Sequence, residues 1–177
     1  MKKIIIVSSI LLYKIFFAQV IIGDAIGTAT DKTSVLLEFA NTNNKGIILP
    51  YVKSLPAGVT PGTILLDASN PSQARIKYYN GIWQDLSGRD GNINTALAQQ
   101  TNNSENANAK VIIGSNTSSA DGVLVLESTT QAMVIPVVND VNNIPSPSPG
   151  MMVYVNKTGA KRLAFFNGSI WSFWASN

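Results

Sequence analysis

The chain contains two copies of one sequence pattern. Both copies open on Val-Ile-Ile-Gly, at residues 20–23 and 111–114. The landmarks that follow in each copy are an apolar stretch ending in glutamate (Glu38, Glu127), an aliphatic-proline step (Leu49-Pro50, Ile135-Pro136), a Pro-Gly pair (Pro61-Gly62, Pro149-Gly150) and an aromatic hairpin motif (residues 78–83, 165–171). A repeated unit of about 65–70 residues predicts a modular architecture, because a fixed order of landmarks at such a period marks repeated supersecondary structures.

Short apolar stretches in both copies have the character of β-strands. They are rich in β-branched residues and are bounded by glycine, proline, asparagine, aspartate or serine, as strands usually are. These stretches are residues 35–39, 47–49 and 64–66 in the first copy and residues 123–127, 133–135 and 152–155 in the second. Beyond residue 18, no stretch shows a convincing helical period. The predicted fold class is all-β, with two related small β-modules of short strands and hairpins.

Each copy closes on an aromatic hairpin. In the first copy, Asn80-Gly81 follows alternating polar and apolar residues, which predicts a two-residue type I′ turn with both residues at positive φ. In the second copy, Asn167-Gly168-Ser169 is one residue longer. This spacing predicts a three-residue turn with Gly168 in the left-handed region.

The N-terminus has the pattern of an export signal. Lys2 and Lys3 precede a mostly apolar stretch, and Ala18 is a suitable residue to precede cleavage, leaving Gln19 as the new terminus. The alternative is a membrane anchor, but a span needs about 20 consecutive apolar residues and Lys14 interrupts this one. We therefore expect residues 1–18 to be a signal peptide, the protein to be secreted or on the outer cell surface, and no transmembrane span to remain after cleavage.

The remaining chain divides into three segments. Residues 19–88 form the first β-module, residues 89–110 a polar, asparagine-rich linker, and residues 111–177 the second β-module. The linker has too few apolar residues to pack independently, so we expect it to be exposed. A module of this size buries only about 60% of the surface of its unfolded chain. Since the chain has no cysteine for a disulfide, we expect a homo-oligomer, and whether the modules pack together stays open.

The charge balance argues against nucleic acid as a partner. The chain has 13 Lys and Arg against 10 Asp and Glu, and three of the basic residues (Lys2, Lys3, Lys14) leave with the signal. The balance of the processed chain is then 10 against 10. A nucleic-acid interface needs clustered basic residues, and the short clusters here, residues 75–77 and 161–162, have the pattern of solvated strand faces.

The residue inventory also argues against catalysis and metal binding. Histidine and cysteine are absent, which excludes Ser-His-Asp and Cys-His catalysis and histidine-ligated zinc. Glu38 and Glu127 recur once per copy, which indicates a shared structural role rather than an acid-base pair. Residues 90–94 resemble the start of a calcium loop but lack the glycine and glutamate that such a loop requires further on. We predict no enzymatic activity, no cofactor and no metal.

Aromatic residues are the candidate contact residues. The set is Tyr79, Trp83, Phe166, Trp171 and Trp174. Exposed aromatic rings on a β-surface can stack on sugar rings or anchor a protein interface. Under the alternative, Tyr78, Phe165, Trp83 and Trp171 fill the core as cross-strand partners. Trp174, which lies outside the repeated pattern, is expected to be the most exposed of the set.

The order of these motifs resembles a repeated module of secreted and cell-surface proteins of the Bacteroidetes, found in tail-fibre-like or adhesin-like chains. The family pattern is Ile-Gly-Thr, Leu-Glu, Lys-Gly-x-x-Leu-Pro, Pro-Gly-x-x-x-Tyr and Tyr-Tyr-Asn-Gly-x-Trp. The matching residues are 18–19, 26–28, 37–38, 45–50, 61–62 and 78–83 in the first copy and 126–130, 134–136, 149–154 and 165–171 in the second. One departure is that Tyr51-Val52 and Val137-Val138 stand where the family has a basic residue.

The resemblance implies a β-rich, trimeric, fibre-type surface module without known catalysis. Combined with the residue analysis, it predicts a secreted, non-enzymatic structural or adhesin-like protein that acts through protein or surface contacts. The partners would be further copies of the chain, most simply in a homotrimer, and a surface glycan or protein receptor. The competing hypothesis is a carbohydrate-binding module that uses the hairpin aromatics. A third, an accessory subunit of a larger assembly, is not separable from the first by sequence.

Overall fold

The computed structural model describes residues 19–27, 29–41, 44–99, 106 and 109–174. The predicted signal peptide lies outside the described residues, as do residues 100–105 and 107–108 of the predicted linker. The described residues form fourteen strands, one short α-helix and a 3-10 turn. The predicted all-β class is confirmed.

Most of the strands coincide with the apolar stretches of the sequence. In chain order they are β1 (Val20–Ile22), β2 (Val35–Phe39), β3 (Ile47–Ile48), β4 (Tyr51–Val52), β5 (Ile64–Asp67), β6 (Arg75–Tyr79), β7 (Trp83–Asp85), β8 (Val111–Ile113), β9 (Leu124–Leu126), β10 (Ala132–Val134), β11 (Val137–Val138), β12 (Met151–Val155), β13 (Arg162–Phe166) and β14 (Trp171–Trp174). Helix α1 spans Asn94–Ala98, and the 3-10 turn spans Val141–Asn143.

The duplicated sequence folds twice into the same sheet. Strands β4-β5-β6-β7 form the first meander sheet, and β11-β12-β13-β14 form the second. In each, the leading pair is parallel and the next two pairs are antiparallel. The two leading pairs also form equivalent hydrogen bonds. In the first sheet Leu66 N donates to Pro50 O at 3.0 Å, and in the second Tyr154 N donates to Pro136 O at 2.9 Å. The aliphatic-proline step therefore has the same structural role in both copies.

The two copies are interleaved rather than separate. Strand β10 of the second copy pairs in parallel with β2 of the first, with Met133 opposite Leu37. Strand β3 of the first copy pairs antiparallel with β12 of the second, with Ile47 opposite Met152. Both copies also contribute to one shared core, which contains Leu49, Leu66, Ala68, Ala74, Ile76, Ile93, Met152 and Phe165. The modules thus pack together, which the sequence alone left open.

A second core lies within the second copy alone. It lies on the opposite side of the second meander sheet from the shared core, because alternate residues of a strand point to opposite faces. The segment that connects β11 to β12 supplies Val141 and Ile144 to it. The complete set of buried residues is Val138, Val141, Ile144, Met151, Val153, Val155 and Ala164.

The first residues of the predicted linker are part of the packed structure. Ile93 is 1% exposed in the shared core, and Gly91 forms a backbone bridge with Ala74. A Cβ atom on Gly91 would lie 1.9 Å from the carbonyl oxygen of Asn167, so this close approach of two backbones requires glycine. Residues 91–93 therefore connect the two meander sheets, while the linker boundaries themselves stay a prediction.

Each hairpin turn is one residue longer than the sequence predicts. Three residues separate the paired Tyr79 and Trp83, and of these Gly81, at φ 108°, is the one with positive φ. Four residues separate Phe166 and Trp171, and Gly168 has the predicted positive φ, at 100°. The reason is clearest at Asn167, whose side-chain oxygen accepts hydrogen bonds from two backbone N–H groups ahead of it, both at 3.0 Å. This Asx-type turn keeps the asparagine at negative φ.

Candidate functional site

The predicted contact residues include two equivalent aromatic pairs, one in each hairpin. The ring centroids of Tyr79 and Trp83 are 5.2 Å apart at 58°, and those of Phe166 and Trp171 are 5.3 Å apart at 46°. The residues of each pair lie directly opposite each other across the last two strands. These are tilted cross-strand pairs, a favourable arrangement of aromatic rings. Trp83 therefore pairs with Tyr79, while Phe165 is fully buried in the shared core.

The two aromatic pairs have different surroundings. All four side chains are half-buried. Phe166 and Trp171 pack against the second core. Tyr79 lies on the same face of β6 as the alternating residues Arg75 and Lys77, so its pair is flanked by charge. The first pair thus lies on a polar outer face, and the second pair closes an apolar core.

The basic residues of this polar face are all matched with carboxylates. Arg75 forms ion pairs with Asp85 and with Asp90, the second at 2.7 Å from Nε to Oδ1. Lys77 Nζ lies 2.7 Å from Asp67 Oδ2. The outer face therefore presents fixed donors and acceptors beside Tyr79 and Trp83 rather than a cationic patch.

Asp67 is the most buried carboxylate of this network, at 8% exposure. Burial alone would raise its pKa, but hydrogen bonds from Lys77 and from the hydroxyl and N–H of Ser69 outweigh burial and hold the pKa below its usual range. Asp67 is therefore an ionised structural group rather than a proton donor.

The last strand carries the most exposed of the predicted contact residues. Trp174 is 55% exposed and the neighbouring Phe173 is 41% exposed, so the expected exposure of Trp174 is confirmed. The Arg162 guanidinium lies 4.0 Å from the centroid of the Phe173 ring, a cation–π contact. The Nε atom of Arg162 is buried without a hydrogen-bond partner in the described structure. Arg162 was expected on a solvated face, and it is instead half-buried.

A shallow depression adjoins the second aromatic pair. It is lined by residues 87–89, at the boundary between the predicted first β-module and the predicted linker, and by residues 170–173 around Trp171. The Ser172 hydroxyl donates to the carbonyl of Ser87 across this junction. No sequence pattern predicts this depression, because its two sides are about 80 residues apart and meet only through the interleaving of the copies.

Glu38 and Glu127 have structural surroundings. Glu38 is fully buried and accepts hydrogen bonds from Ala29 N at 2.6 Å and Lys32 Nζ at 2.7 Å. Glu127 accepts a hydrogen bond from the Ser118 hydroxyl. In each copy the carboxylate binds a residue nine positions before it, in the loop between two parallel strands. Both therefore fix the loop that precedes them, which supports the predicted structural role.

The described residues also bear on metal binding and on membrane-spanning helices. In the part of the chain that the structure describes, no three histidine, cysteine, aspartate or glutamate side chains are grouped so that they could hold a metal ion. The polar segment 90–94 uses its side chains internally, since Asp90 pairs with Arg75 and the Asn92 oxygen accepts from Asn94 N at 3.1 Å. Among the helices of the described residues, none has the length and apolar character needed to cross a bilayer.

The second copy of the repeat matches a known protein family. Residues 112–176 match the family model described as a phage tail like trimerisation region. No curated protein and no solved structure shows significant similarity to the chain. The matched residues coincide with the second copy of the repeat, including the second core, the Phe166–Trp171 pair and the exposed end of β14.

Proposed function

We propose that this protein is a secreted, non-enzymatic structural component of a tail-fibre-like or adhesin-like surface assembly, and that it forms a homotrimer through its second copy. The observation that carries the proposal is the similarity of residues 112–176 to a phage tail-like trimerisation region. The predicted signal peptide supports export to the cell surface or beyond. The contacts of Asp67, Glu38 and Glu127, which are structural, agree with a role without catalysis.

The exposed end of β14 is the surface that we assign to trimer contacts. In the described residues β14 is the last strand of its sheet, and an unpaired strand edge is a ready site for association with another chain. Phe173 and Trp174 add exposed apolar area at this edge. Tryptophan and arginine are also favoured at interface centres, and the buried Nε of Arg162 lies beneath Phe173 with a hydrogen bond still to be made.

The experiment compares two exposed apolar positions in the processed protein, residues 19–177. Trp174→Asp places a charge at the proposed trimer contact and should convert the trimer to a monomer, measured by sedimentation velocity. Ile82→Asp is the matched control, because Ile82 is also exposed, at 66%, but lies in the first copy. A Trp174→Asp protein that remains as trimeric as the Ile82→Asp protein would contradict the assignment.

A second candidate function is glycan binding by the Tyr79–Trp83 pair. The observation that favours it is that Tyr79 lies on the same face of β6 as the ion-paired Arg75 and Lys77, and sugars are bound by such combinations of ring faces and charged donors and acceptors. A glycan array with Trp83→Ala tests this function, with Trp171→Ala as the control because Trp171 packs against the second core. Binding that survives Trp83→Ala, or no binding by the unmodified protein, would contradict it.

Export through a cleaved signal peptide is a further part of the proposal. Export predicts that the secreted or surface fraction contains a chain that begins at Gln19. Mass spectrometry of the N-terminal peptide measures this, and a chain that retains Met1 in that fraction would contradict signal cleavage.

A further inference from the structure

The two copies are joined by a reciprocal exchange of strands. The second copy gives β10 to the edge of β2, and the first copy gives β3 to the edge of β12. The junction is reinforced by Leu49 N, which donates to Gly150 O at 3.0 Å, and by the Tyr51 hydroxyl, which donates to Pro149 O at 2.7 Å. We call this contact between the two copies of one chain the internal junction.

The repeat makes the strands of the internal junction equivalent in pairs. Strands β2 and β9 each pair in parallel with a Val-Ile-Ile strand. Strands β3 and β10 each directly precede the aliphatic-proline step, and β5 and β12 each follow the Pro-Gly pair. A strand of the β3 type therefore has two edges to fill: one against a preceding β2-type strand, and one against a following β12-type strand.

Each β3-type strand has one of these two contacts in the described structure. Strand β10 pairs with the preceding β2, and β3 pairs with the following β12. The converse contacts, of β3 with a preceding strand and of β10 with a following strand, are not made within the described residues. The corresponding acceptors are β9, which in the described residues pairs only with β8, and the first half of β5, because β4 pairs only with Leu66 and Asp67 on that side of β5.

Residues at the free edges are more exposed than the corresponding residues at the internal junction. Leu37 on β2, which pairs with the valine of its Val-Ile-Ile strand, is fully buried, whereas Leu124 on β9, which pairs with the valine of the other such strand, is 43% exposed. Ile48 on β3 is 52% exposed. A Cβ atom on Gly150 would lie 3.2 Å from the Leu49 carbonyl oxygen, whereas one on the equivalent Gly62 would meet open space. The surfaces that are covered at the internal junction are therefore open at the outer ends of the molecule.

We propose that a second copy of the chain docks head to tail on these open ends and repeats the internal junction between molecules. Strand β9 of one chain would pair with β3 of the next, and β10 of the first with β5 of the next. Counted from the paired Val-Ile-Ile strand, Val125 on β9 has the position that Glu38 has on β2. In the register of the internal junction, where Val134 lies opposite Glu38, Ile48 therefore lies opposite Val125. Both are apolar and β-branched, as suits a strand pair.

A second copy is the occupant because the chain carries both halves of the contact. The first copy provides the free β3 and β5 edges, the second copy provides the free β9 and β10 edges, and the same pairing already forms within the molecule. A contact between different surfaces does not close on itself unless its rotation happens to form a ring, so it extends into a filament. This inference goes beyond the trimer, which uses the β14 edge.

Engineered cysteines test the contact directly, because the chain has no cysteine of its own. Neighbouring strands lie about 4.7–4.9 Å apart, within the Cα separation of about 4.4–6.8 Å that a disulfide accepts. We expect a mixture of Ile48→Cys chains and Val125→Cys chains to give a disulfide-linked dimer of the two kinds on oxidation. The double variant should give a ladder of covalent multimers on a denaturing gel.

The control replaces Val125→Cys by Val111→Cys. Val111 is 56% exposed and lies on β8, where the proposal places no contact with β3. Circular dichroism and the sedimentation of each reduced variant establish that it folds and forms the same oligomer as the unmodified protein. In folded variants, an Ile48–Val125 link that is absent, or no more abundant than the Ile48–Val111 or Ile48–Ile48 links, would overturn the proposal.

A charged variant separates this contact from the trimer. Ile48→Lys should abolish any association beyond the trimer and leave the trimer intact, whereas Trp174→Asp should remove the trimer. Light scattering over a concentration series measures both. If Ile48→Lys leaves association beyond the trimer unchanged, or if the unmodified protein shows none, the head-to-tail contact is wrong and the trimer proposal is unaffected.

Discussion

The two meander sheets have the same strand order and register, but the outer face of the first is charged and that of the second is apolar. Lys77 in the first sheet and Ala164 in the second hold equivalent positions, as do Asp67 and Val155. The first sheet uses its positions for an ion pair, and the second buries them in a core of its own. The inner faces of both sheets line the shared core. The repeated landmarks thus determine the backbone, and the residues between them determine what each outer face can contact.

This difference separates the two candidate functions. The second copy, with an apolar outer core and an exposed strand edge, is the one that matches a trimerisation region. The first copy carries an aromatic pair beside matched charges, which suits a ligand or receptor more than a subunit contact. Substitutions in each sheet test how far the two faces differ.

Ala164→Lys transfers the charge of the first sheet to the second. Ala164 is fully buried in the second core, so the ammonium group would be buried without a carboxylate. We expect a loss of about 3–5 kcal/mol in the free energy of unfolding, the usual cost of an unpaired buried charge, measured by urea denaturation. Ala132→Lys, at an exposed alanine, is the control. Equal midpoints for the two variants would show that the second core is open to water.

Gly91→Ala tests the connection between the two sheets. The new Cβ atom would clash with the Asn167 carbonyl, and backbone shifts that relieve such overpacking cost about 1–3 kcal/mol. The thermal unfolding midpoint should fall accordingly. Gly122→Ala, where a Cβ atom would make an ordinary contact at 3.7 Å, should leave the midpoint nearly unchanged. A Gly91→Ala protein as stable as the Gly122→Ala protein would mean that residues 91–93 do not pack between the two meander sheets.

Asp67→Asn removes the charge of the ion pair in the first sheet. Because the pKa of Asp67 is lowered in the folded protein, its contribution to stability is present above the unfolded-state pKa of about 3.9 and is lost as pH falls through the folded-state pKa. We expect the variant to be less stable by about 1.5 kcal/mol at pH 7. The difference from the unmodified protein should shrink below about pH 4.

Chemical denaturation at several pH values measures this difference. Asp140→Asn is the comparison in the second copy, where the pKa of Asp140 is also lowered, chiefly by the hydrogen bond from Lys157. That pair is more exposed than the Asp67–Lys77 pair, so solvent screening should make its effect smaller. A difference for Asp67→Asn that is constant across the acidic range would contradict the ion pair.

The sequence predicts where the strands of this fold lie better than it predicts which strands pair with each other. Residues 35–39 and 152–155 carry strand composition and are strands, and local patterning also indicates the hairpins. The pairing of β2 with β10 joins residues almost 100 positions apart, and no local signal specifies such a contact. The turn lengths were wrong because Asn80 does not adopt the positive φ of a two-residue turn, and because the Asn167 side chain accepts hydrogen bonds from Ser169 N and Ile170 N and so stabilises a longer turn.

The candidate site shows the same limit. The aromatic composition of the hairpins predicts two clusters and the exposure of Trp174. The burial of Ile93 and the half-buried position of Arg162 depend on tertiary packing, since one apolar residue in a polar segment and one arginine on a strand carry no periodic signal. Which aromatic residues meet a ligand stays a prediction.

We expect the chain without its predicted signal peptide to form a trimer. Light scattering of residues 19–177 on a sizing column measures the solution mass directly. We expect a mass three times that of one chain, with larger species at higher concentration if the head-to-tail contact forms. A single species with the mass of one chain at every concentration would contradict it.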